Sequence, residues 1–325
     1  MSPTAPPTTT LPCPLCGGSA YTTVLQGARD WIWRKPGVFQ VQRCDGCALV
    51  ATRPRPTDEA LGFYYDDTYS GEAEAGMRRF QTESWLGRRL NRSRLNIISK
   101  IKKLGASDRL LDVGCSYGGF LREARRSGCT TSGLDLDAGS IEQAVDKAHT
   151  DYRVGTLEGA GYPPESFTII TFMESLEHHT DPVAALRAAY AALAPGGLCV
   201  VEVPNFAGFW RKVFRTAWLP LLIPQHLFHF TPATLKAAMK AAGMTPVHHQ
   251  TIFAPLEGVA SLGLWLTRIL RSPPMGAKPS WRTPLDLAVF LVLLVLYVVT
   301  EIPSQALLTV LGKSGHQMAI AKKAE

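Results

Sequence analysis

The chain has 325 residues, of which 46% are hydrophobic and 19% are charged. These proportions exclude a largely disordered protein and allow one large domain or two smaller ones. The formal net charge of +7 suits a basic enzyme, a nucleic-acid binder or a protein that contacts an anionic membrane, so charge alone does not choose among them.

The chain opens with a stretch rich in proline and threonine, residues 1–12, which we expect to be a disordered tail. It has neither the basic start nor the apolar segment of a secretion signal. We therefore expect a cytoplasmic location, where cysteines stay reduced and are available to bind metal.

Four cysteines form two CxxC pairs, and they are Cys13, Cys16, Cys44 and Cys47. Two thiolates from each of two tight turns suit the tetrahedral coordination of zinc. The sequence therefore predicts a structural zinc ribbon over residues 13–56.

The segment between the pairs contains aromatic and basic residues, namely Trp31, Trp33, Arg34 and Lys35. Such side chains can stack on nucleobases, but in a domain too small for its own core they more often pack internally. We interpret the ribbon as a structural staple. After it, prolines introduce a linker and helical segment, residues 57–104, whose clustered arginines and lysines we interpret as a solvated helix face.

From Arg109 onward, strand-like and helix-like patterns alternate. The strand-like segments are RLLDVG, TTSGLDL, DYRVGT, FTIITFM, LCVVEVP and MTPVHHQTIF. Asp181 followed by Pro182 is typical of a helix start, and Asp137 is placed to cap the helix after the second strand. The alternation predicts a parallel sheet covered on both faces, with ligands at the carboxyl ends of its strands, over residues 105–253.

The turn after the first strand has the sequence VGCSYGG and is a candidate cofactor site. As a GxGxxG pattern it lacks the middle glycine, which is Ser116, and is a weak dinucleotide fingerprint. Asp112, just ahead of Gly114, would crowd a pyrophosphate but suits the ammonium group of S-adenosylmethionine. Asp135 at the end of the second strand can accept hydrogen bonds from both ribose hydroxyls, with Leu136 beside the adenine. The turn therefore favours the methyl donor.

Five segments in this order resemble the class I S-adenosylmethionine-dependent methyltransferases, and most closely the branch that includes the ubiquinone-pathway O-methyltransferases. The segments are LLDVGCSYGGFL, GLDLD, GTLEGAGYPPESFTIITFMESLEHHTDP, LAPGGLCVVEVPN and HLFHFTPATLKAAMKAAGM. The resemblance covers residues 109–253 and implies an α/β fold with a Rossmann-like seven-stranded sheet.

The family pattern also implies which residues bind the donor. They are Asp112, Gly114, Cys115, Ser116, Gly118, Asp135, Leu136, Thr156, Leu157 and Glu174. The sequence departs from the pattern at Ser116, where the family has glycine, and at Thr156 and Thr168, where it has acidic residues. The adenine contacts are thus less well defined than the contacts at the turn.

The chemistry is expected after the fourth strand, in MESLEHHTDP. Glu174, Glu177 and His178 follow the spacing E-x-x-E-H, which spans about one helical turn. Three roles remain open: His178 acts as a base toward a hydroxyl, the trio holds a divalent cation that orients a catechol-like substrate, or the trio pins the loop. His226 and His229 lie in the segment that covers the acceptor pocket in this family, and are predicted to bind substrate.

These features predict methylation of a small-molecule or lipid-linked acceptor, most simply at oxygen. The alternatives are C-methylation of a sugar-type substrate, RNA methylation, and a non-catalytic adaptor that binds S-adenosylmethionine. A nucleic-acid substrate is not favoured, because the fourth strand continues as MESLEH and not as a stretch that stacks on a flipped base. The oligomeric state is left open.

The family's sixth and seventh strands form an antiparallel hairpin, with GHQMAIAKK as the seventh strand and residues 315–325 as the chain end. Residues 254–314 interrupt this hairpin as an apolar helical insertion. Its apolar run Leu287–Val299 would extend about 20 Å as a helix, short of the ~30 Å of a bilayer core. Two stretches, FWRKVFRTAWLPLLIP and LGLWLTRILR, mix aromatic and basic residues as interfacial helices do.

The insertion therefore predicts peripheral contact with the inner face of a membrane. The alternative is that it forms an extra helix pair that covers the sheet or builds a dimer interface.

Overall fold

The structure is a computed structural model. It describes residues 7–65, 72–270, 295 and 297–325. The chain divides into two compact units. The ribbon unit takes its residues from Met1–Asp66, Pro204–Pro232 and Gln250–Gln317. The sheet unit takes its residues from Asp67–Val203, Ala233–His249 and Met318–Glu325.

In chain order the strands are β1 (Thr8–Thr9), β2 (Tyr21–Ala28), β3 (Phe39–Cys44), β4 (Val50–Arg53), β5 (Arg55–Pro56), β6 (Arg109–Val113), β7 (Thr130–Asp135), β8 (Thr150–Val154), β9 (Phe167–Met173), β10 (Leu193–Pro204), β11 (Phe228–His229), β12 (Thr245–Ile252) and β13 (His316–Lys322). The helices are α1 (Asp58–Tyr65), α2 (Glu72–Thr82), α3 (Trp85–Ser99), α4 (Gly119–Arg126), α5 (Ala138–Glu142), α6 (Pro182–Ala192), α7 (Phe209–Phe214), α8 (Pro232–Ala241), α9 (Glu257–Leu270) and α10 (Ile302–Val310). Turns of 3-10 helix span Leu176–His178, Arg215–Ala217 and Leu219–Leu221, and a π-helical turn spans Tyr297–Glu301.

The seven-stranded sheet has the order β12-β13-β10-β9-β6-β7-β8. The pairs β6–β7, β6–β9, β7–β8 and β9–β10 are parallel. The central strands β6 and β9 are largely apolar because both of their faces are covered; Leu110 and Leu111 on β6 are fully buried. The loops after β6, β7, β8 and β9 therefore gather at one edge. This architecture confirms the predicted α/β fold with a Rossmann-like seven-stranded sheet.

Two helices of the sheet unit begin where the sequence places their caps. Asp137 accepts hydrogen bonds from Gly139 N and Ser140 N at the start of α5. Asp181 accepts bonds from Val183 N and Ala184 N at the start of α6, with a proline at the first helical position. Both cap predictions are confirmed, and they fix the directions of the chain just after β7 and β9.

The ribbon unit is built around a four-stranded sheet in the order β11-β4-β3-β2. Strands β2, β3 and β4 form two consecutive hairpins and come from the cysteine-containing segment. Strand β11 comes from about 175 residues later in the chain. The core is shared in the same way: Phe39 and Tyr64 from the first segment pack in one cluster with Phe206 and Trp218 from the second. The cysteine-containing segment therefore obtains an apolar core from later parts of the sequence.

Helices α9 and α10 lie between β12 and β13 in sequence, within the predicted insertion. Buried hydrogen bonds join them to the rest of the ribbon unit: Glu257 accepts bonds from Trp218 Nε1 (2.6 Å) and Gly315 N (3.0 Å), and Glu301 accepts one from Gly258 N (2.6 Å). Across the described parts of the chain, the helices are too short or too polar to span a bilayer. Most of the predicted apolar run Leu287–Val299 lies outside the described residues.

Candidate functional site

The turn between β6 and α4 requires glycine at two positions, because of its backbone conformation and the close packing around it. Gly114 and Gly118 have φ angles of +80° and +75°. A Cβ on Gly114 would lie 2.4 Å from Ser175 Cβ, and one on Gly118 would lie 1.8 Å from the Tyr152 hydroxyl oxygen. Ser116 also adopts a positive φ, +48°, in a region that non-glycine residues seldom occupy. The turn is thus a tight loop whose amide groups stay close to the strand ends.

Asp135, at the carboxyl end of β7, holds this turn in place. Its Oδ2 accepts a hydrogen bond from Ser116 N (2.8 Å), and its Oδ1 accepts one from Asp137 N (2.9 Å). Burial raises the pKa of this carboxyl, while the two backbone donors oppose that shift. The side chain of Leu136, next in sequence, is 73% exposed, and Leu157 after β8 is buried. Thr156 is exposed, and its hydroxyl accepts a bond from Gly159 N (3.2 Å).

Asp112 and Cys115 are buried at the turn. Asp112 accepts a hydrogen bond from the Thr171 hydroxyl on β9 (2.6 Å), and burial raises its pKa to about 7. Burial also raises the pKa of the Cys115 thiol, so this side chain is neutral and unsuited to act as a nucleophile. The contact between Asp112 and the donor's ammonium group stays a prediction.

The E-x-x-E-H residues follow β9 directly. Glu174 has a φ of +56°, and its N–H donates to the carbonyl of Glu202 on β10 (2.8 Å). The Ser175 hydroxyl donates to the carbonyl of Val113 (2.5 Å), which ties this loop to the end of β6. Glu177 and His178 lie in the 3-10 turn that comes next. The structure thus places the loop after β9 beside the turn between β6 and α4. This turn is called the donor turn below, after its predicted role.

Glu177 is 1% exposed, whereas His178 is half-buried. The pKa of Glu177 lies well above its ordinary value, first because of burial and then because of the carboxylates of Glu174 and Glu202. Three carboxyl groups therefore share one poorly solvated region, which favours either a bound proton or a compensating cation.

Arg94 on α3 is a candidate site residue that the sequence analysis assigned to a solvated helix face. Its guanidinium makes a bidentate ion pair with Glu202 on β10, with N–O distances of 2.8 and 2.5 Å. Burial lowers the pKa of Arg94, but Glu202 outweighs this effect, and Glu174 and Asp112 also favour the charged form. Arg94 thus supplies the cation for the acidic region after β9 and β10. Its partner is 108 residues away, so helix periodicity alone could not identify it.

His226 and His229, predicted to bind substrate, both have partners inside the ribbon unit. The Nδ1 of His226 lies 2.9 Å from the carbonyl oxygen of Pro220. The Nε2 of His229 lies 3.0 Å from the Thr52 hydroxyl, and its ring packs against Phe206. Burial lowers the pKa of His229 to about 3, so this ring is neutral at physiological pH. A role in substrate binding stays a prediction for both residues.

The four predicted zinc ligands form one cluster, with their Sγ atoms within 4.8 Å of one another. Two of the Sγ–Sγ distances, Cys13–Cys47 and Cys16–Cys44, are 3.5 Å. Zinc bound to sulfur at about 2.3 Å in a regular tetrahedron gives an edge of about 3.8 Å, so the thiols fit this geometry. The pairing of β2 with β3, which places Tyr21 opposite Cys44, brings the two CxxC turns together.

Comparisons with known proteins agree with this fold. A family model described as a methyltransferase domain matches residues 82–249. A ubiquinone biosynthesis O-methyltransferase of Xanthomonas euvesicatoria pv. vesicatoria is 35% identical over 168 residues, which cover 48% of this chain and 70% of that protein. A protein of the same name from Pseudomonas fluorescens is 31% identical over 169 residues, covering 48% and 72% of the two chains.

Among solved structures, phosphoethanolamine N-methyltransferase 2 of Haemonchus contortus, in complex with S-adenosyl-L-methionine, aligns with a TM-score of 0.53 and 15% identity. The alignment covers 85% of this chain and 63% of that one, and it supports the fold alone. The chain belongs to the class I S-adenosylmethionine-dependent methyltransferases. It is thus an enzyme whose cofactor is S-adenosylmethionine, which confirms the family inferred from the five ordered segments.

Proposed function

We propose that the enzyme methylates an oxygen atom of a small-molecule or lipid-linked acceptor. The observation that carries this proposal is the loop after β9, whose half-buried His178 lies next to the fully buried Glu177 and which is tied to the donor turn through Ser175 and Val113. Two relatives named ubiquinone biosynthesis O-methyltransferase support oxygen as the acceptor atom.

Donor binding is proposed to rest on the turn and on Asp135. With its backbone bonds to Ser116 and Asp137, the Asp135 carboxylate is already oriented, and its remaining lone pairs suit the ribose hydroxyls. The exposed Leu136 offers an apolar surface for the adenine, and Leu157 and Thr156 in the loop after β8 are proposed to complete the adenine site. When bound, S-adenosylmethionine supplies a methyl group already activated by a sulfonium, so the protein mainly orients the acceptor.

His178 is proposed to accept the proton that the acceptor hydroxyl loses during methylation. The carboxyl groups of Glu174 and Glu177 are proposed to offset the positive charge that His178 gains when it takes this proton. The same three residues also suit a divalent cation, because a nearby cation would lower the raised pKa of Glu177. The cation would also bind two adjacent oxygen atoms of a catechol-like acceptor. Dialysis against a chelator separates the two roles: activity that depends on added Mg²⁺ favours the cation, and unchanged activity favours the base.

The Cys13, Cys16, Cys44 and Cys47 cluster is proposed to hold one structural zinc ion. The thiol separations and the two CxxC turns support a closed, four-sulfur site with no position for a substrate. This metal is therefore assigned to folding of the ribbon unit and not to catalysis.

Peripheral membrane contact is proposed from α9. Leu262, Trp265 and Leu266 are each 40–43% exposed and lie on one face of this helix at i, i+3 and i+4 spacing. An apolar stripe next to basic residues is typical of helices that lie in a bilayer interface. Such contact would give the enzyme access to an acceptor with a lipid tail.

The central test is methyl transfer from tritiated S-adenosylmethionine to a panel of phenols and catechols with and without isoprenoid chains. We expect labelled ether products, identified by mass spectrometry, and loss of turnover in His178→Ala with donor affinity retained. Donor binding without transfer to any acceptor would favour the adaptor hypothesis, and label on carbon would overturn the choice of oxygen.

A further inference from the structure

The ribbon unit contains a cavity of about 410 Å³, and none of its lining residues belongs to the donor turn. Its lining residues are Trp31, Val213, Phe214, Arg215, Thr216, Trp265 and Arg268. They come from the segment between the CxxC pairs, from α7 and the 3-10 turn after it, and from α9. The volume lies within the range of small-molecule sites, and the lining combines aromatic walls with two guanidinium groups.

Arg268 is held in place by the protein. Its guanidinium lies 4.3 Å from the centre of the Trp31 ring, and its Nη1 donates a hydrogen bond to the Thr216 hydroxyl (2.9 Å). Burial lowers its pKa, the direction expected for a cation that lacks a counter-charge. In the described part of the chain, the contacts with Trp31 and Thr216 leave other N–H groups of the Arg268 guanidinium available to a ligand.

Arg215 adds a second cation to the same cavity, from an exposed position with a φ of +53°. Among the residues that the structure describes, the ion pairs include none between a carboxylate and Arg215 or Arg268. The acid next to Trp31 in sequence, Asp30, is engaged elsewhere: its carboxylate accepts bonds from the backbone N–H groups of Ile32 and Trp33. Counting the described residues alone, the charge at this cavity is therefore positive and not internally balanced.

Trp31 forms one aromatic wall of the cavity. Its indole Nε1 is buried and has no hydrogen-bond acceptor within the described part of the protein. Because this nitrogen is enclosed by protein atoms, Trp31 offers the cavity an aromatic wall and not a further donor.

The surroundings of the cavity are apolar. Trp265 is 43% exposed, and Leu262 and Leu266 on the same face of α9 are similarly exposed. A free anion would leave this surface in water, whereas a ligand that joins an anionic head to an apolar chain would cover it.

We propose that this cavity binds the phosphate group of an amphiphilic phosphate ester. Arg215 and Arg268 contact the phosphate oxygens, because guanidinium forks match phosphate geometry, and Trp31 and Trp265 contact the adjoining apolar part. The site is built wholly from the ribbon unit, and its occupation does not require methyl transfer. It would select a phosphorylated lipid, at a membrane or as a single molecule.

The test measures binding of the full chain to three probes: inorganic phosphate, a short-chain phosphatidic acid below its micelle concentration, and phosphatidylcholine vesicles with and without phosphatidic acid. The variant is R215Q/R268Q, and the charge-matched control is K236Q/K240Q, which removes two exposed lysines from α8 in the sheet unit. Thermal unfolding of both variants checks that they fold.

We expect short-chain phosphatidic acid to bind the intact chain, with R215Q/R268Q weakening binding at least about tenfold and the control changing it less than about twofold. We also expect Trp265→Ala to weaken binding of the short-chain lipid while leaving the weak binding of inorganic phosphate unchanged. Equal losses in both double variants would show diffuse attraction and overturn the site. Inorganic phosphate binding as tightly as the lipid would overturn the amphiphile, and no binding of either would overturn the proposal.

Discussion

Asp135 shows how one carboxylate both shapes the donor turn and prepares it for a ligand. The bonds that it accepts from Ser116 N and Asp137 N stabilise a turn that includes a non-glycine residue at positive φ. The sequence predicted a role in donor binding for Asp135 from its place at the carboxyl end of the second strand, and that role stays a prediction. The bond to Ser116 could not be predicted, because it depends on how the turn folds back over the adjacent strand.

The first prediction concerns donor affinity. Asp135→Ala should weaken binding of S-adenosylhomocysteine by at least about tenfold, since it removes the proposed ribose acceptor and releases the turn. Calorimetric titration measures this change. Asp151→Asn on the surface of β8 is the control and should bind normally, whereas normal binding by Asp135→Ala would remove Asp135 from the site.

The second prediction concerns pH and Asp112. Its pKa is about 7 in the folded protein because of burial, against about 3.9 for an unfolded aspartate. Between these values the folded state retains a proton that the unfolded state has released, so stability falls as the pH rises from 4 to 7. Relative to Asp112→Asn, which stays neutral, the wild type should lose up to about 1.4 kcal/mol of unfolding free energy per pH unit in this window.

Urea unfolding at pH 5, 6, 7 and 8 measures this difference in the absence of donor. The exposed Asp151→Asn variant should run parallel to the wild type throughout. A constant difference between Asp112→Asn and the wild type across the four pH values would show that Asp112 is ionised in the folded protein.

At the scale of elements, the central strands β6, β9 and β10 of the large sheet were predictable because a buried parallel strand is a largely apolar run. The two-residue strand β11 was not, since Phe228–His229 has no pattern of its own and pairs with β4 far back in the sequence. Around this pairing, Thr52 N donates to the carbonyl of Leu227 (2.9 Å), and the Thr52 hydroxyl donates to that of His226 (2.7 Å). The segment predicted to cover the acceptor is thus attached to the cysteine-containing sheet.

The third prediction follows from this attachment. Changing Cys44 and Cys47 to serine should abolish retention of about one zinc per chain and should speed amide exchange at Phe228 and His229, because β3 and β4 lose the metal between them. Metal analysis and hydrogen exchange measure the two effects. Cys129→Ala, a buried cysteine of the sheet unit, should keep both zinc and protection. Retained zinc in the serine variant would refute this ligand set.

At the scale of the whole molecule, each of the two units contains an early segment of the chain and two later ones. The methyltransferase segment was recognisable because its five motifs lie within about 145 residues in family order. The sequence did not predict that three separate segments build the ribbon unit. The local sequence around Phe206, Trp218 and Glu257 does not indicate which distant residues they contact. Long-range packing of this kind is decided by the fit of surfaces and not by local pattern.

The fourth prediction tests whether the methyltransferase segment can fold without the end of the chain. Strand β13 lies between β10 and β12 in the sheet, and its residues Met318, Ala319, Ile320 and Ala321 are fully buried. A chain that ends at residue 314 lacks this strand and would expose apolar surface on β10, so we expect it to be insoluble or to unfold well below the temperature of the full chain.

Removal of residues 1–6 is the control and should leave solubility and the unfolding temperature unchanged. Adding a synthetic peptide of residues 315–325 to the refolding truncated chain should restore binding of S-adenosylhomocysteine. A truncated chain that folds and binds the donor on its own would show that the sheet does not need β13 for stability.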